Sequence, residues 1–174
     1  MSKILENLQK EILSTTRRQL MQKGYKSLTI RSIAKECSIA VGTIYNYYPN
    51  KEFLLASVIL EDWKLSLERM RCSASSTEDI FEGLQSIFEE ILCFLKIYCD
   101  IFNECGFLGS IQYSFADRHQ MLCNQLSDII REMCIRLLRP QEEKMIIFIA
   151  ECLLGGATRN CDYEFLNKIF IRLL

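Results

Sequence analysis

The sequence predicts an all-α protein, and three of its features lead to that prediction. The chain of 174 residues contains only two prolines and seven glycines, which is too few for the closely spaced turns of a β-sandwich or barrel. Apolar residues instead recur three and four positions apart along most of the chain, as in amphipathic helices. Threonine or asparagine precedes three of these apolar stretches, as is usual at a helix N-terminus.

The same signals place eight helices along the chain. Gly24 ends the first helix, Thr29 caps the second, Pro49 ends the third and Asn50 caps the fourth. The predicted helices cover residues 4–21, 30–36, 41–47, 50–71, 77–105, 117–138, 140–154 and 163–174.

Two segments interrupt the helical pattern. Residues 72–76 (CSASS) have the composition of a linker, and residues 106–116 contain two glycines with no clean period, which predicts an irregular loop. Pro140 is expected in the first turn of the helix that follows, because proline is tolerated there. The pair Gly155–Gly156 is expected to end that helix.

The last two helices are more apolar than a monomer of this size can easily bury. Residues 145–154 are apolar nearly all round, and such a helix must be covered on every side. We therefore expect an identical chain to pack there as a two-fold helical bundle; a fully buried core helix in a monomer is the alternative. The candidate interface residues are Ile130, Met133, Ile147, Phe148, Phe165, Ile169 and Phe170.

Charge is distributed unevenly along the chain. Residues 1–51 contain nine Lys and Arg against three acids, whereas residues 52–174 contain twelve against nineteen. A basic head on an acidic body suggests a polyanion-binding module, and a chance excess on a solvated surface is the alternative. We divide the chain into a helix-turn-helix domain, 1–49, and a helical regulatory and dimerisation domain, 50–174, with helix 50–71 connecting the two.

Neither a metal site nor an enzyme is predicted. The nine cysteines form no C-x-x-C pair, and His119 is the single histidine, so a Cys/His zinc site is not expected. Small packing residues are the simpler explanation of the cysteines, with a thiol-sensing role as the alternative. Gly-rich phosphate loops and G-x-S-x-G are absent from the sequence. We expect no catalytic residues and no cofactor.

The sequence also predicts a cytoplasmic protein without membrane association. Its N-terminal residues include early acids and no hydrophobic signal region. The longest apolar run has six residues, whereas about 18 are needed to span a bilayer.

Residues 29–51 have the composition of a helix-turn-helix that enters the DNA major groove. Small residues at the start of the third helix allow the backbone to approach a duplex. Tyrosine and lysine side chains and the hydroxyl of Thr29 can contact phosphates. Thr43, Asn46 and Arg31 are the candidates for base edges, and the sequence does not decide among them. The candidate DNA-binding residues are Thr29, Arg31, Ala40, Val41, Gly42, Thr43, Tyr45, Asn46, Tyr47 and Lys51.

Residues 10–56 resemble the DNA-binding domain of the TetR/AcrR family of transcriptional regulators. The resemblance rests on GY at 24–25, TIRSIA at 29–34, SIAVGTIY at 38–45 and YPNKEFL at 48–54. Three positions depart from the family pattern, and one of them, Tyr48 in place of the usual Phe, is a conservative change. Ser38 stands where a turn glycine is usual, and Ala40 stands where a capping Ser or Thr is usual.

The resemblance implies a homodimer whose two recognition helices bind a palindromic operator, usually as a repressor. It also implies that a small molecule within the C-terminal domain shifts helix 50–71 and releases DNA. An aromatic pocket would favour an apolar or amphipathic ligand, although ordinary core packing explains the same residues. The candidate ligand residues are Trp63, Leu67, Phe88, Tyr98, Phe102, Phe107 and Tyr113. The competing functions are a co-regulator of this fold that acts through a protein partner, and a helical dimer that binds nucleic acid nonspecifically.

Overall fold

The computed structural model describes residues 2–104 and 115–174, and these residues form eight α-helices, which confirms the all-α class. Within the described residues, none of the helices combines the length and the apolar character required to cross a membrane. The helices are α1 (Ser2–Ser27), α2 (Ile30–Glu36), α3 (Val41–Tyr45), α4 (Lys51–Ser76), α5 (Ile80–Glu104), α6 (Phe115–Arg136), α7 (Glu143–Thr158) and α8 (Tyr163–Leu173).

The described residues fall into two compact units. The first unit holds the residues up to Asp62 and also residues 100–104, and the second holds Trp63–Cys99 and residues 115–174. The division therefore falls within α4. The functional boundary at residue 49 stays a prediction.

In the first unit, Gly24 introduces a kink near the end of α1. Its backbone angles are φ 73° and ψ 170°, a region that is essentially restricted to glycine. The helix therefore changes direction at the residue where the sequence predicted its end. After the kink, the N–H of Leu28 donates to the carbonyl of Tyr25 at 3.2 Å.

We expect Gly24→Ala to destabilise the first unit by about 1–3 kcal/mol, because a Cβ makes this conformation strained. The strain is conformational rather than steric, since a Cβ at Gly24 would have no neighbour within 4 Å. Chemical denaturation of both proteins measures the difference. Gly42→Ala is the matched control: Gly42 also has open space around it, without a positive φ. Equal stability of Gly24→Ala and the natural chain would contradict this account.

The helix α2 begins as the sequence predicted, because its capping signal is local. The Thr29 hydroxyl accepts from the N–H of Ser32 at 3.1 Å, and Ser32 Oγ accepts in return from the N–H of Thr29 at 3.4 Å. Such a reciprocal capping box satisfies N–H groups that the helix itself leaves without partners.

Polar contacts attach α1 to its neighbours in the first unit. Arg18 donates twice to Glu36, at 2.7 and 3.2 Å, and Gln19 is buried between the side chains of Ser32 and Glu36. The Arg18 hydrogen bonds lower the pKa of the Glu36 carboxyl. Because Gln19 and its partners satisfy one another, this polar group is buried without a large desolvation cost.

A second ion-pair group joins α1 to the first turns of α4. Arg17 lies 2.7 Å from Glu61 and also pairs with Asp62. The charge excess of residues 1–51 therefore overstates the positive charge that is available to a partner, since Arg17 and Arg18 are both paired with acids.

In the second unit, the predicted linker at residues 72–76 is wrong, because this segment is the last turn of α4. Its serine hydroxyls bond back to helix carbonyls, Ser75 to Cys72 at 2.8 Å and Ser76 to Ser73 at 3.0 Å. Arg136 donates to the carbonyl of Ala74 at 2.8 Å, which satisfies one of the acceptors at the helix end. Tertiary contact therefore overrides the linker-like composition.

The next helix starts later than predicted. Thr77 precedes α5 by three positions, and Asp79 is the residue whose carboxylate accepts from a first-turn N–H, that of Phe81, at 2.7 Å. The helix α6 starts at Phe115, two residues before the predicted position, and ends at Arg136. Of the predicted loop 106–116, residues 106–114 lie outside the described residues.

The helix α7 starts and ends later than predicted. It starts at Glu143 instead of Pro140, and it continues through Gly155 and Gly156 to Thr158. A Cβ on Gly156 would lie 2.8 Å from Leu166 Cδ1 of α8. This glycine therefore permits close packing of α8, and it does not end the helix.

Burial divides the seven candidate interface residues into three groups. Ile130, Met133 and Phe170 are buried in the core of the second unit, so their assignment to an interface is corrected: an apolar periodicity does not distinguish core from interface. Ile147 and Ile169 are half-buried. Phe148 and Phe165 are exposed. These exposed rings are on α7 and α8, respectively.

Candidate nucleic-acid interface

The helices α2 and α3 are joined by a four-residue turn that contains a strained position. Ser38 has φ 55°, in the left-handed region that non-glycine residues seldom adopt. The N–H of Ile39 reaches back to the carbonyl of Ala34 at 3.0 Å and closes the turn. A serine therefore occupies the conformation for which the family pattern has glycine.

The helix α3 is short and is held by one core residue. Ile44 is fully buried, whereas Ala40 at the N-cap makes no side-chain hydrogen bond. The helix ends at Tyr45, two residues before the predicted end, and the N–H groups of Tyr47 and Tyr48 both donate to the carbonyl of Ile44. Packing of Ile44 therefore compensates for the missing cap.

All ten candidate DNA-binding residues lie in the first unit, and none of them is buried. The exposed members are Thr29, Arg31, Ala40, Gly42, Tyr45 and Asn46, and the half-buried members are Val41, Thr43, Tyr47 and Lys51. Lys35, which the sequence analysis did not select, is also exposed on α2. The signal that could have identified Lys35 is its position one helical turn after Arg31, which places both cations on the same face of α2.

Gly42 is a glycine that the chain's own packing does not require. A Cβ at this position would meet no atom within 4 Å, and its φ is not in the left-handed region. Glycine within a helix also costs about 1 kcal/mol relative to alanine. The absence of a side chain here is therefore unexplained by the fold, and it leaves the backbone of α3 open to close approach from outside.

Lys51 has an internal role that sequence reasoning missed. Its ammonium donates to the carbonyl of Tyr25 at 2.7 Å and lies 3.8 Å from the centre of the Tyr25 ring. These contacts attach the start of α4 to the segment after the Gly24 kink. An ammonium carries three donors, so this contact is compatible with a further one to a phosphate.

Four of the seven candidate ligand residues are buried in the second unit, whose core here is rich in aromatic rings. Trp63, Leu67, Phe88 and Tyr98 are buried. The Trp63 ring meets Phe94 edge-to-face at 5.0 Å, and the next ring, Tyr98, lies 5.1 Å from Phe94. The side chain of Phe102, together with Phe107 and Tyr113, lies outside the described residues.

Two polar contacts accompany this aromatic core. Trp63 Nε1 donates to Gln125 Oε1 of α6 at 2.8 Å, and the Tyr163 hydroxyl donates to the carbonyl of Phe81 at 2.7 Å. Burial, with a smaller contribution from nearby carboxylates, raises the pKa of Tyr163. Gln125 was not predicted, because its partner is 62 positions away in the sequence.

A small cleft elsewhere in the second unit contains none of the candidate ligand residues. Its volume is about 80 Å³, whereas pockets for drug-sized ligands occupy about 300–1,000 Å³. The lining residues are Arg71, Ala74, Ser75, Ile129, Glu132, Met133 and Arg136.

The second unit also brings together three side chains that the sequence did not connect. His119 and Cys123 lie four positions apart on α6, and Glu151 of α7 lies beside them. Burial raises the pKa of the Cys123 thiol to about 12, and Glu151 adds to that shift. The sequence argument against a Cys/His site used only the spacing of cysteines and histidine along the chain. It could not take into account the contact between α6 and α7, which brings Glu151 to the other two side chains.

Comparison with known proteins agrees with this architecture. Residues 12–58 match the family model described as bacterial regulatory proteins, tetR family. The HTH-type transcriptional regulator UidR of Escherichia coli K12 is 32% identical over 75 residues, which cover 39% of this chain and 38% of UidR. The chain thus spans less than two-fifths of the length of that curated relative.

Two solved structures have the same fold at low sequence identity. RolR, in complex with resorcinol, gives a TM-score of 0.65 at 14% identity and covers 100% of this chain and 90% of its own. FadR of Bacillus subtilis, in complex with stearoyl-CoA, gives a TM-score of 0.54 at 20% identity, with coverage of 94% and 95%. The chain thus carries a helix-turn-helix segment that matches the tetR family model, and it shares its all-α fold with these two solved structures.

Proposed function

We propose that the chain binds palindromic operator DNA as a homodimer, acts as a repressor, and is released from DNA by a small apolar or amphipathic molecule. The observation that carries the DNA-binding part is the open surface at Gly42 on α3. Nothing within the chain requires a glycine there, whereas a recognition helix needs small residues where it approaches the duplex.

The side chains around Gly42 supply suitable chemistry for DNA contact. Tyr45 and Asn46 are exposed at the end of α3, and Arg31 is exposed on α2. A tyrosine hydroxyl can donate to phosphate oxygens. Asparagine and arginine make bidentate pairs with adenine and guanine, respectively. Together they provide both positioning contacts and base recognition.

Exposed aromatic rings on α7 and α8 support the homodimer. Phe165 is 60% exposed and Phe148 is 48% exposed, and exposed apolar surface can mark a protein interface. A two-fold dimer would present two copies of α3. Each copy would read one half of a palindrome, with half-sites about one helical turn apart.

The aromatic core of the second unit supports an apolar or amphipathic ligand. RolR and FadR, which have the same fold, were crystallised with resorcinol and stearoyl-CoA, an aromatic molecule and an amphipathic one. A ligand of this class would release DNA only to the extent that it binds the released conformation more tightly.

Selection of bound duplexes from a random-sequence pool tests the proposal. We expect the purified protein to enrich one palindromic sequence. Retention of DNA without enrichment would point to a nonspecific nucleic-acid binder. No retention at low salt would favour a co-regulator that acts through a protein partner.

Tyr45→Ala is expected to weaken binding to the selected duplex about tenfold or more, because a phosphate or base-edge contact is lost from each half-site. Met21→Ala is the matched control, since Met21 and Tyr45 are both 49% exposed and Met21 lies on α1. Fluorescence anisotropy measures both affinities. Equal affinities of the two variants would argue against a role of Tyr45 in DNA binding.

A further inference from the structure

Three kinds of metal-ligating atom meet at the contact between α6 and α7 in the second unit. His119 Nε2 lies 2.6 Å from Glu151 Oε2 and 3.5 Å from Cys123 Sγ. All three ligand atoms lie within 4.8 Å of one another. His119 and Cys123 share one face of α6 because they are four residues apart, and Glu151 completes the group from the neighbouring helix.

The three side chains of this group are buried to different extents, and this difference suits an ion that exchanges with solvent. The Cys123 side chain is fully buried, whereas the side chains of His119 and Glu151 are 36% and 41% exposed. The thiol thus lies beneath two solvent-accessible ligands. An ion could enter from solvent and still find a sulfur ligand in a shielded environment.

Simpler explanations account for parts of this group but not for the whole. An ion pair explains His119 and Glu151, and it does not require a thiol 3.5 Å from the imidazole. Core packing explains a buried cysteine, as it does for Cys134 on the same helix. Imidazole, thiol and carboxylate at one point form the donor set of a borderline-soft divalent metal.

We infer that His119, Cys123 and Glu151 bind one divalent transition-metal ion of the zinc class, with water in a fourth position. The nitrogen and sulfur ligands disfavour Mg²⁺ and Ca²⁺, which prefer oxygen. Three protein ligands and an open position are also the arrangement of zinc sites that exchange a bound water. This inference does not depend on DNA binding.

Metal binding requires only small side-chain movements. A tetrahedral Zn²⁺ ion holds its nitrogen, oxygen and sulfur ligands about 3.3–3.8 Å apart. The separation of His119 Nε2 and Cys123 Sγ, 3.5 Å, already falls in that range. The imidazole and the Glu151 carboxylate, now 2.6 Å apart, must separate by at least about 0.7 Å, and both side chains are partly exposed to solvent.

Binding exchanges protons for the metal. The Cys123 S–H bond breaks, a sulfur–metal bond forms, and the thiol proton passes to solvent; an imidazolium would likewise lose its Nε2 proton. No oxidation or reduction takes place. The bound ion would then cross-link α6 to α7 within the second unit.

Titration of the full-length, reduced chain with Co²⁺ tests the site, because cobalt replaces zinc and a thiolate ligand gives it a near-ultraviolet charge-transfer band. We expect one equivalent of Co²⁺ to produce the band and Zn²⁺ to displace it. Cys123→Ser should abolish the band. His119→Gln and Glu151→Gln should each weaken Co²⁺ affinity by at least about tenfold.

Cys134→Ser is the matched control, since Cys134 is equally buried on the same helix and should leave Co²⁺ binding unchanged. Circular dichroism checks that each variant folds. If Cys123→Ser does not fold, the partly exposed His119→Gln decides. Absence of a charge-transfer band in the natural chain would overturn the inference. Unchanged affinity in His119→Gln, or an unchanged band in folded Cys123→Ser, would also overturn it.

Discussion

Replacing Gly42 by glutamate should abolish specific DNA binding while leaving the fold intact. The position is exposed on α3, and an added Cβ meets nothing within 4 Å. Removing glycine from the helix should leave stability unchanged or raise it by up to about 1 kcal/mol. On the DNA side, a carboxylate would stand where the backbone approaches the duplex, and it would be repelled by phosphates. We expect at least about a 100-fold loss of operator affinity.

Two control variants separate the causes of that loss. Met21→Glu introduces the same charge at an exposed position on α1, and it should reduce affinity only slightly. Gly42→Ala adds a methyl group without charge, and its effect should lie between those of the two glutamate variants. Thermal unfolding of each variant measures its stability and shows whether the fold is retained. If Gly42→Glu binds the operator with the same affinity as the natural chain, the assignment of α3 as the recognition helix is contradicted.

The second large effect is expected from Phe165→Glu. Phe165 is 60% exposed on α8, so a glutamate is tolerated by the monomer but would place a charge in the proposed apolar dimer interface. Sedimentation velocity should show monomers where the natural chain is dimeric. Operator affinity should fall by about 100-fold or more, because the second half-site is no longer bound as part of one assembly.

Leu138→Glu is the control for Phe165→Glu. Leu138 is 88% exposed, yet it lies between α6 and α7 and outside the helices of the proposed interface. This variant should remain dimeric and bind DNA normally. A dimeric Phe165→Glu, or a natural chain that is monomeric at micromolar concentration, would contradict the proposed interface.

The helix-turn-helix was predictable because its signals are local. The hydroxyl of Thr29 and the amide of Asn50 accept from N–H groups three residues ahead, so caps could be read from the sequence. The buried Ile44 follows from helical spacing in the same way. Such contacts depend on neighbours within one turn, so they can be predicted even when the rest of the fold is unknown.

The failures have a common physical reason, which is contact between segments distant in the sequence. Gly156 was predicted to help end its helix, because glycine is common at helix ends, but it instead permits close packing against Leu166. Lys51 was assigned only to phosphate contact, and its ammonium also holds the Tyr25 carbonyl. The group that Glu151 completes depends likewise on the pairing of α6 and α7. Local composition does not encode any of these pairings.

The most direct test of sequence-specific DNA binding is the ratio of equilibrium affinities for the selected palindromic duplex and a scrambled duplex of equal composition. It should be measured at two salt concentrations. We expect a ratio of about 10³ or more, with both affinities falling as salt rises because phosphate contacts release counterions. Equal affinity for the two duplexes at both salt concentrations would contradict the proposed operator-binding function.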